Sequence, residues 1–295
     1  MTSPRNESVS VVIDIATRNR ARWLRTAIES ALRQSQRPLR LAVTDDASND
    51  ETQALRREFP SISWERWDLR QGHVRARNRM MLRAEEDYYV SIDDDAWFVD
   101  GDEIAVAVDH LERHPTTAAV AFDIISPDRR MRVSRGAATS TAMFVGCGHM
   151  LRLSAVRELG GYTEFPGAYG AEEKDFCLRL IDAGYRIVRL DGVHVWHDKT
   201  PSARDLSEQH RSGVCNDLTL ALQRVPAGLV VPVVALKMAS HLVFAIRNDL
   251  LRACLRGVYD FLLAAADVWR ARRPVRLASL VQFYARTRPA RKAAR

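Results

Sequence analysis

From Ser8 to Ala16 the chain reads SVSVVIDIA, a β-branched run with one acidic interruption that predicts a buried strand. Thr17-Arg18-Asn19-Arg20 breaks it. Trp23, Leu24, Ala27, Ile28, Ala31 and Leu32 then recur at helical spacing and predict a helix over 22–34. A second strand over 39–44 ends in Asp45-Asp46-Ala47-Ser48-Asn49-Asp50, a turn-forming cluster in which Asn49 or Asp50 is placed to cap a helix over 51–58. The alternation continues with a strand over 62–67, a helix over 74–84 behind Gly72, and a strand over 88–92. A helix over 104–111 is stopped by His114-Pro115, and a strand over 118–125 follows.

This alternation predicts an α/β fold with a doubly wound, mostly parallel sheet. Ligands of such sheets bind beyond the carboxyl ends of the strands. Three polar clusters lie at predicted strand ends: Thr17 to Arg20, Asp45-Asp46, and Asp93-Asp94-Asp95. Farther on, the pattern predicts a basic mobile loop over 129–141 and a glycine-containing strand over 144–151. A helix over 172–183, closed by Gly184, and a last strand over 185–190 complete the set. From about Ser202 the pattern is helical. The expected division is an α/β catalytic domain over 1–200 and a helical, basic and amphipathic extension over 201–295.

Composition agrees with a globular protein: of 295 residues, 46% are hydrophobic and 27% charged. The four cysteines form no CxxC pair, which predicts reduced structural thiols rather than zinc ligands or disulfides. The first residues carry no apolar run behind their charge, so a cytoplasmic protein without a signal peptide is expected. The net charge is +7, unevenly spread. From Arg247 onward twelve Arg and Lys face three Asp, a local +9, which leaves −2 for the rest. A basic tail fits an anionic membrane surface or a diphosphate-bearing acceptor, and equally a solvated helical tail. Nucleic acid is disfavoured as a partner, because the body is not basic and its strand ends are acidic.

Asp93-Asp94-Asp95 is the strongest chemical signal. Adjacent carboxylates repel one another, and a hard cation such as Mg²⁺ or Mn²⁺ relieves that repulsion. Taken alone, the run also fits a solvated acidic turn. Glu172-Glu173-Lys174-Asp175 opens a predicted helix; it fits a general base toward an acceptor hydroxyl, or acidic residues favoured by the helix dipole. His194 and His197 flank Val195-Trp196 and should point to opposite faces of a strand. Arg75, Arg77 and Asn78 follow Gly72, where they fit a diphosphate or a solvated helix face.

The order of these pieces resembles the family 2 inverting glycosyltransferases of GT-A fold. The resemblance runs through Thr17-Arg18-Asn19-Arg20, Asp45 to Asp50, Gly72 with Ala76-Arg77-Asn78, and Ile92-Asp93-Asp94-Asp95. It continues through Gly160-Gly161-Tyr162, Ala171 to Phe176 with Arg179-Leu180, Ala183 to Arg186, and Val195-Trp196-His197. It implies a metal-dependent enzyme that moves a sugar from a UDP-, dTDP- or GDP-linked donor to an acceptor hydroxyl on a glycan or lipid-linked molecule. By position it places Ala16, Thr17, Arg20, Asp45, Asp46, Arg77, Asp93 and Asp94 at the donor. Asp95 and His197 fall at the metal (Mg²⁺ or Mn²⁺), Glu173 at the catalytic base, and Glu172 and Asp175 on the acceptor side. Glu173 stands where the family usually has Asp, one methylene longer, so Glu172 and Asp175 are the alternatives for the base. Several members of this family with helical C-terminal extensions act on lipid-linked or cell-envelope glycans, so the resemblance implies such an acceptor.

The stretch 227–246 is almost continuously apolar, yet Pro232, Lys237 and His241 interrupt it. The expectation is therefore helices packed on the core or lying at a membrane interface, with the protein peripheral on the inner membrane face. Two other enzyme-related readings are a nucleotidyltransferase and a catalytically inactive nucleotide-sugar-binding relative. The first is disfavoured because the loop after the first strand lacks glycine.

Overall fold

The computed structural model describes residues 9–126, 137–199 and 205–287. The chain opens with β1 (Val11–Thr17), α1 (Ala21–Leu32), β2 (Leu39–Asp45), α2 (Thr52–Glu58), β3 (Ser63–Arg66), α3 (His73–Arg83) and β4 (Tyr88–Asp93). It continues through β5 (Ala96–Phe98), α4 (Glu103–Arg113), β6 (Thr117–Ile125), β7 (Ala138–Thr141), β8 (Gly148–Arg152) and α5 (Leu153–Leu159). Then come α6 (Glu172–Asp182), β9 (Arg186–His197), α7 (Leu206–Arg224), α8 (Ala227–Arg247), α9 (Leu251–Arg270) and α10 (Leu277–Thr287). Two compact units result: residues 1–161 with 185–200, and residues 162–184 with 201–295.

The first unit is built on one sheet of order β3-β2-β1-β4-β8-β6-β9-β5, with β7 on β9. The run β3-β2-β1-β4 is parallel throughout, and β8 turns the sheet antiparallel on both of its sides. Its central strands are apolar on both faces, as sheets covered by helices require: β6 is buried along its whole length and β1 at every position but one. Leu24, Ala27, Ile28 and Ala31 of α1 present one apolar stripe to Val11, Ile13 and Ile15 of β1. This is the GT-A arrangement that the motif order led us to expect.

Four features depart from the sequence pattern. β5 and α5 were not foreseen, β7 occupies the end of the expected loop, and β9 runs on from Leu190 to His197. The rest of that loop, 129–136, lies outside the described residues. β7 (ATST) carries no apolar alternation; its strand character comes from pairing with β9, a partner far along the chain. β9 continues because Gly192 takes φ 86°, a bend that glycine accepts cheaply, and its register against β6 shifts there.

The second unit is helical. Asp175 on α6 is fully buried, with Arg224 Nε 2.5 Å from one carboxylate oxygen and Arg179 Nε and the Thr163 hydroxyl each 2.7 Å from the other. Asn216 of α7 accepts from Gly167 N at 2.7 Å and holds the carbonyls of Gly167, Tyr169 and Gly170 within 3.0 Å. It thus fixes the loop that leads into α6. α7 and α9 pack closely at Gly257, where a Cβ would lie 2.4 Å from the Arg211 carbonyl oxygen. The apolar stretch over 227–246 forms one continuous helix despite Pro232.

Candidate functional site

The three polar clusters meet at one sheet edge. Thr17 ends β1 opposite Asp45 on β2, and Ala16 lies opposite Asp93 on β4. Parallel strands of similar length end together, so three short loops are stacked side by side.

The Asp45 loop is bound from both directions. Asp45 accepts from Ser48 N at 2.8 Å and from Arg66 Nη1 at 2.7 Å. Asp46 is buried and accepts from Gln71 N at 2.6 Å and Gly72 N at 2.9 Å, so its carboxylate holds the entry to α3. Gly72, with φ 94°, makes the turn. Asp50 accepts from Ala21 N and Thr52 N, each at 3.0 Å, and so satisfies the first helical N–H of both α1 and α2, although the N-cap residues themselves are Arg20 and Glu51.

The acidic run is not a solvated turn: Asp94 and Asp95 are buried. Asp94 accepts from Thr17 Oγ1 at 2.8 Å and from Arg20 Nη1 at 2.9 Å, and Arg20 Nη1 also lies 3.3 Å from Asp95 Oδ2. Burial pushes the Asp94 carboxyl up to about 6, against the opposing pull of Arg20. Arg77, itself buried, donates to Asp93 and to the Gly146 carbonyl. β5 pairs Ala96 with His197, and His197 Nε2 consequently comes 3.3 Å from Asp95 Oδ1. Asp198 N donates to the Asp95 carbonyl at 2.9 Å and the Asp198 carboxylate accepts from Trp23 Nε1 at 3.0 Å, so the turn after β9 is held on both sides. His194 faces elsewhere: it is buried, with Nδ1 3.1 Å from Asp100.

These positions fit a divalent cation. Asp93, Cys147 and His197 each offer a ligand atom within 4.8 Å of the others, and Asp95 stands beside His197. Burial raises the Cys147 thiol well above its ordinary range, leaving a protonated sulfur that is a poor donor to a hard ion. The carboxylates and imidazole match Mg²⁺ or Mn²⁺ better. All four cysteines are free and buried. Cys147, Arg66 and Asp198 were not singled out in the sequence; each joins the site through a partner distant along the chain.

Glu172, Glu173 and Asp175 belong to the second unit. Glu172 is buried and Glu173 partly exposed, on the first turn of α6. The Asp175 carboxylate is fully engaged by Arg179, Arg224 and Thr163, as described above.

Residues 11–160 match the model of Glycosyl transferase family 2, and residues 89–270 match that of Glycosyl transferase family group 2. Among solved structures, the mannosyltransferase PcManGT from Pyrobaculum calidifontis, in complex with GDP-Man and Mn²⁺, is similar over 87% of this chain and 88% of that one, at 15% identity and TM-score 0.61. S. aureus TarS (residues 1–349), in complex with UDP-GlcNAc, is similar over 90% of this chain and 82% of that one, at 14% identity and TM-score 0.65. GalNAc-T7 with UDP, GalNAc and Mn²⁺ is similar over 76% and 49%, at 14% identity and TM-score 0.61. Likenesses at these identities speak for the fold. No curated protein sequence matches the chain.

Proposed function

The chain belongs to glycosyl transferase family 2, and we propose that this enzyme moves a sugar from a nucleoside-diphosphate sugar to an acceptor hydroxyl, with inversion at the anomeric carbon. The observation that carries the reading is the convergence of Thr17, Asp45 and Asp93 on one sheet edge, with Asp95 and His197 3.3 Å apart beside it. The GDP-Man, UDP-GlcNAc and Mn²⁺ of the similar structures support a nucleotide-sugar donor and a divalent cation.

Under this reading residues 1–200 supply the catalytic domain and 201–295 the extension. Ala16, Thr17, Asp45 and Asp46 line the nucleoside pocket. Asp93, Asp94, Arg77 and Arg20 order the ribose and diphosphate side. Asp95 and His197, with Asp93 in reach, would hold Mg²⁺ or Mn²⁺, which would supply positive charge against the departing nucleoside diphosphate.

The acceptor hydroxyl is far too weak an acid to ionise near neutral pH, so it needs a base in the transition state. Glu173 takes that proton as the hydroxyl oxygen bonds to the anomeric carbon and the carbon–phosphate oxygen bond breaks. Glu172 orients the acceptor. The Asp175 carboxylate, engaged by two arginines, positions α6 rather than accepting the proton. A single displacement inverts the anomeric centre. The acceptor is a glycan or lipid-linked molecule of the cell envelope, reached from the cytoplasmic side.

The test is a thermal-shift panel of UDP, dTDP, GDP, ADP and CDP, with and without Mn²⁺, on wild type and Asp95→Ala. A ligand that binds only the folded state raises its melting temperature. One diphosphate should stabilise wild type with Mn²⁺ present, and Asp95→Ala should lose that increment. A panel with no shift in the presence of Mn²⁺ overturns the donor-site reading.

A further inference from the structure

The polarity of α8 is inverted. A helix on the surface of a water-soluble protein turns apolar residues inward and polar ones outward. Here the inward stripe carries the polar groups. Lys237 Nζ lies 2.6 Å from Asp217 Oδ2 of α7, and His241 Nε2 lies 3.3 Å from the same oxygen. His210 of α7 packs against His241 and Phe244, with ring centroids 5.8 and 5.1 Å away. Val230 and Ala245 complete the buried stripe. The rest of the circumference faces outward and is apolar: Val231 is 77% exposed, Leu236 72% and Ile246 62%. Between Gly228 and Ile246 the only polar side chain outside the inward stripe is Ser240, and no acidic residue occurs anywhere in α8.

α9 and α10, in the same unit, add exposed Leu255, Tyr259, Leu262, Leu263, Trp269 and Val281. The same stretch of chain carries exposed arginines, Arg247, Arg252, Arg256, Arg270, Arg273 and Arg276, of which Arg270 pairs with Asp267 and Arg276 with Asp182. Arg272 lies over the Trp269 ring at 4.5 Å, the amphipathic pairing suited to a membrane–water boundary.

We infer that the outward face of α8, continued by α9 and α10, inserts into one leaflet of an anionic lipid bilayer, with α8 lying in the membrane plane. A protein partner would be expected to meet polar groups at the rim of its contact. This face offers α8 almost no hydrogen-bonding group, while the arginines nearby match anionic headgroups. With 21 residues, α8 is long and apolar enough to cross a membrane. Crossing is opposed by its partners, because the Lys237–Asp217 contact ties the middle of α8 to α7, which carries the Arg211–Asp260 pair to α9. The inference deepens the lipid-linked acceptor reading, and its meaning for the reaction rests on that reading.

The experiment is flotation of the full chain with vesicles of phosphatidylcholine alone and of phosphatidylcholine mixed with phosphatidylglycerol. Wild type should float with the anionic vesicles and be partly released by high salt. Leu236→Asp and Ile246→Asp should each lower partitioning about ten-fold. Val231→Trp should show emission quenched by lipids brominated along their acyl chains, a readout that does not depend on a destabilised variant. A wild type that stays at the bottom of the gradient with both vesicle types overturns the inference. So does a Leu236→Asp variant that floats like wild type, or a lipid-free dimer that Leu236→Asp splits. The Mn²⁺-dependent nucleotide shift, measured on Leu236→Asp, keeps the two readings apart: its persistence with lost flotation is the expected result, and its absence from wild type would sink the donor reading without touching the membrane one.

Discussion

His197 Nε2 sits 3.3 Å from Asp95 Oδ1, although about a hundred residues separate them in the chain. Pairing of β5 with β9 sets that distance, since Ala96, next to Asp95, is the register partner of His197. A carboxylate oxygen and an imidazole nitrogen so placed can share one cation.

His197→Ala should therefore weaken Mn²⁺ binding about ten-fold or more while leaving the fold intact. Titration of the nucleotide-dependent melting shift against Mn²⁺ measures it. Unchanged Mn²⁺ dependence would remove His197 from the ligand set.

Asp46 acts on the backbone. Asp46→Ala strips the partners from Gln71 N and Gly72 N, which should cost about 1–3 kcal/mol. It should also raise KM for the donor more than it lowers kcat, because the loop entering α3 loses its anchor. Asp46→Asn retains one acceptor oxygen and should recover part of both effects; denaturant melts and donor kinetics report them.

Asp14 lies inside β1, fully buried, and accepts from the Tyr89 hydroxyl at 2.9 Å. Burial raises its carboxyl from 3.8 to about 7, with Tyr89 and Arg77 pulling the other way. The folded protein thus holds a proton that the unfolded chain releases between about pH 4 and 7. Its stabilising contribution is full below about pH 4, declines as pH rises and is gone above about pH 7. Asp14→Asn should flatten that decline, gaining up to about 4 kcal/mol over wild type at pH 8 relative to the difference at pH 4. Parallel pH–stability curves for the two proteins would refute this.

Arg224→Ala should destabilise the second unit by about 3 kcal/mol, because it leaves the buried Asp175 carboxylate with Arg179 as its remaining cation. Arg224→Lys should rescue little, lacking the planar fork. Thermal melts decide: a loss below about 0.5 kcal/mol would mean that water reaches Asp175.

Much of the sheet was legible from local pattern. β1 and β4 are dense in β-branched or aromatic residues, β2 is a short apolar run, and the segments that follow β2 and β4 are rich in Asp, so both strands and site edge show in short windows. Position within the motif order was enough to bring Thr17, Asp45, Asp93, Asp95 and His197 into consideration. β7 was not legible, because Ala138-Thr139-Ser140-Thr141 has no apolar period and is a strand only beside β9. α5 is only seven residues long, too short for a helical period to stand out.

Residue types and their spacing are enough to fix the alternating α/β order, the family resemblance and the apolar character of the 227–246 stretch. Tertiary structure alone decided that Arg20 spans Asp94 and Asp95, that Asp46 holds Gly72, and that Cys147 joins Asp93 and His197. It also decided that α8 turns Lys237 inward and its leucines outward. The reason is physical: a hydrophobic period specifies which face of an element must be buried, whereas the partner of a buried charge is set by strand register and helix packing between segments far apart in the chain.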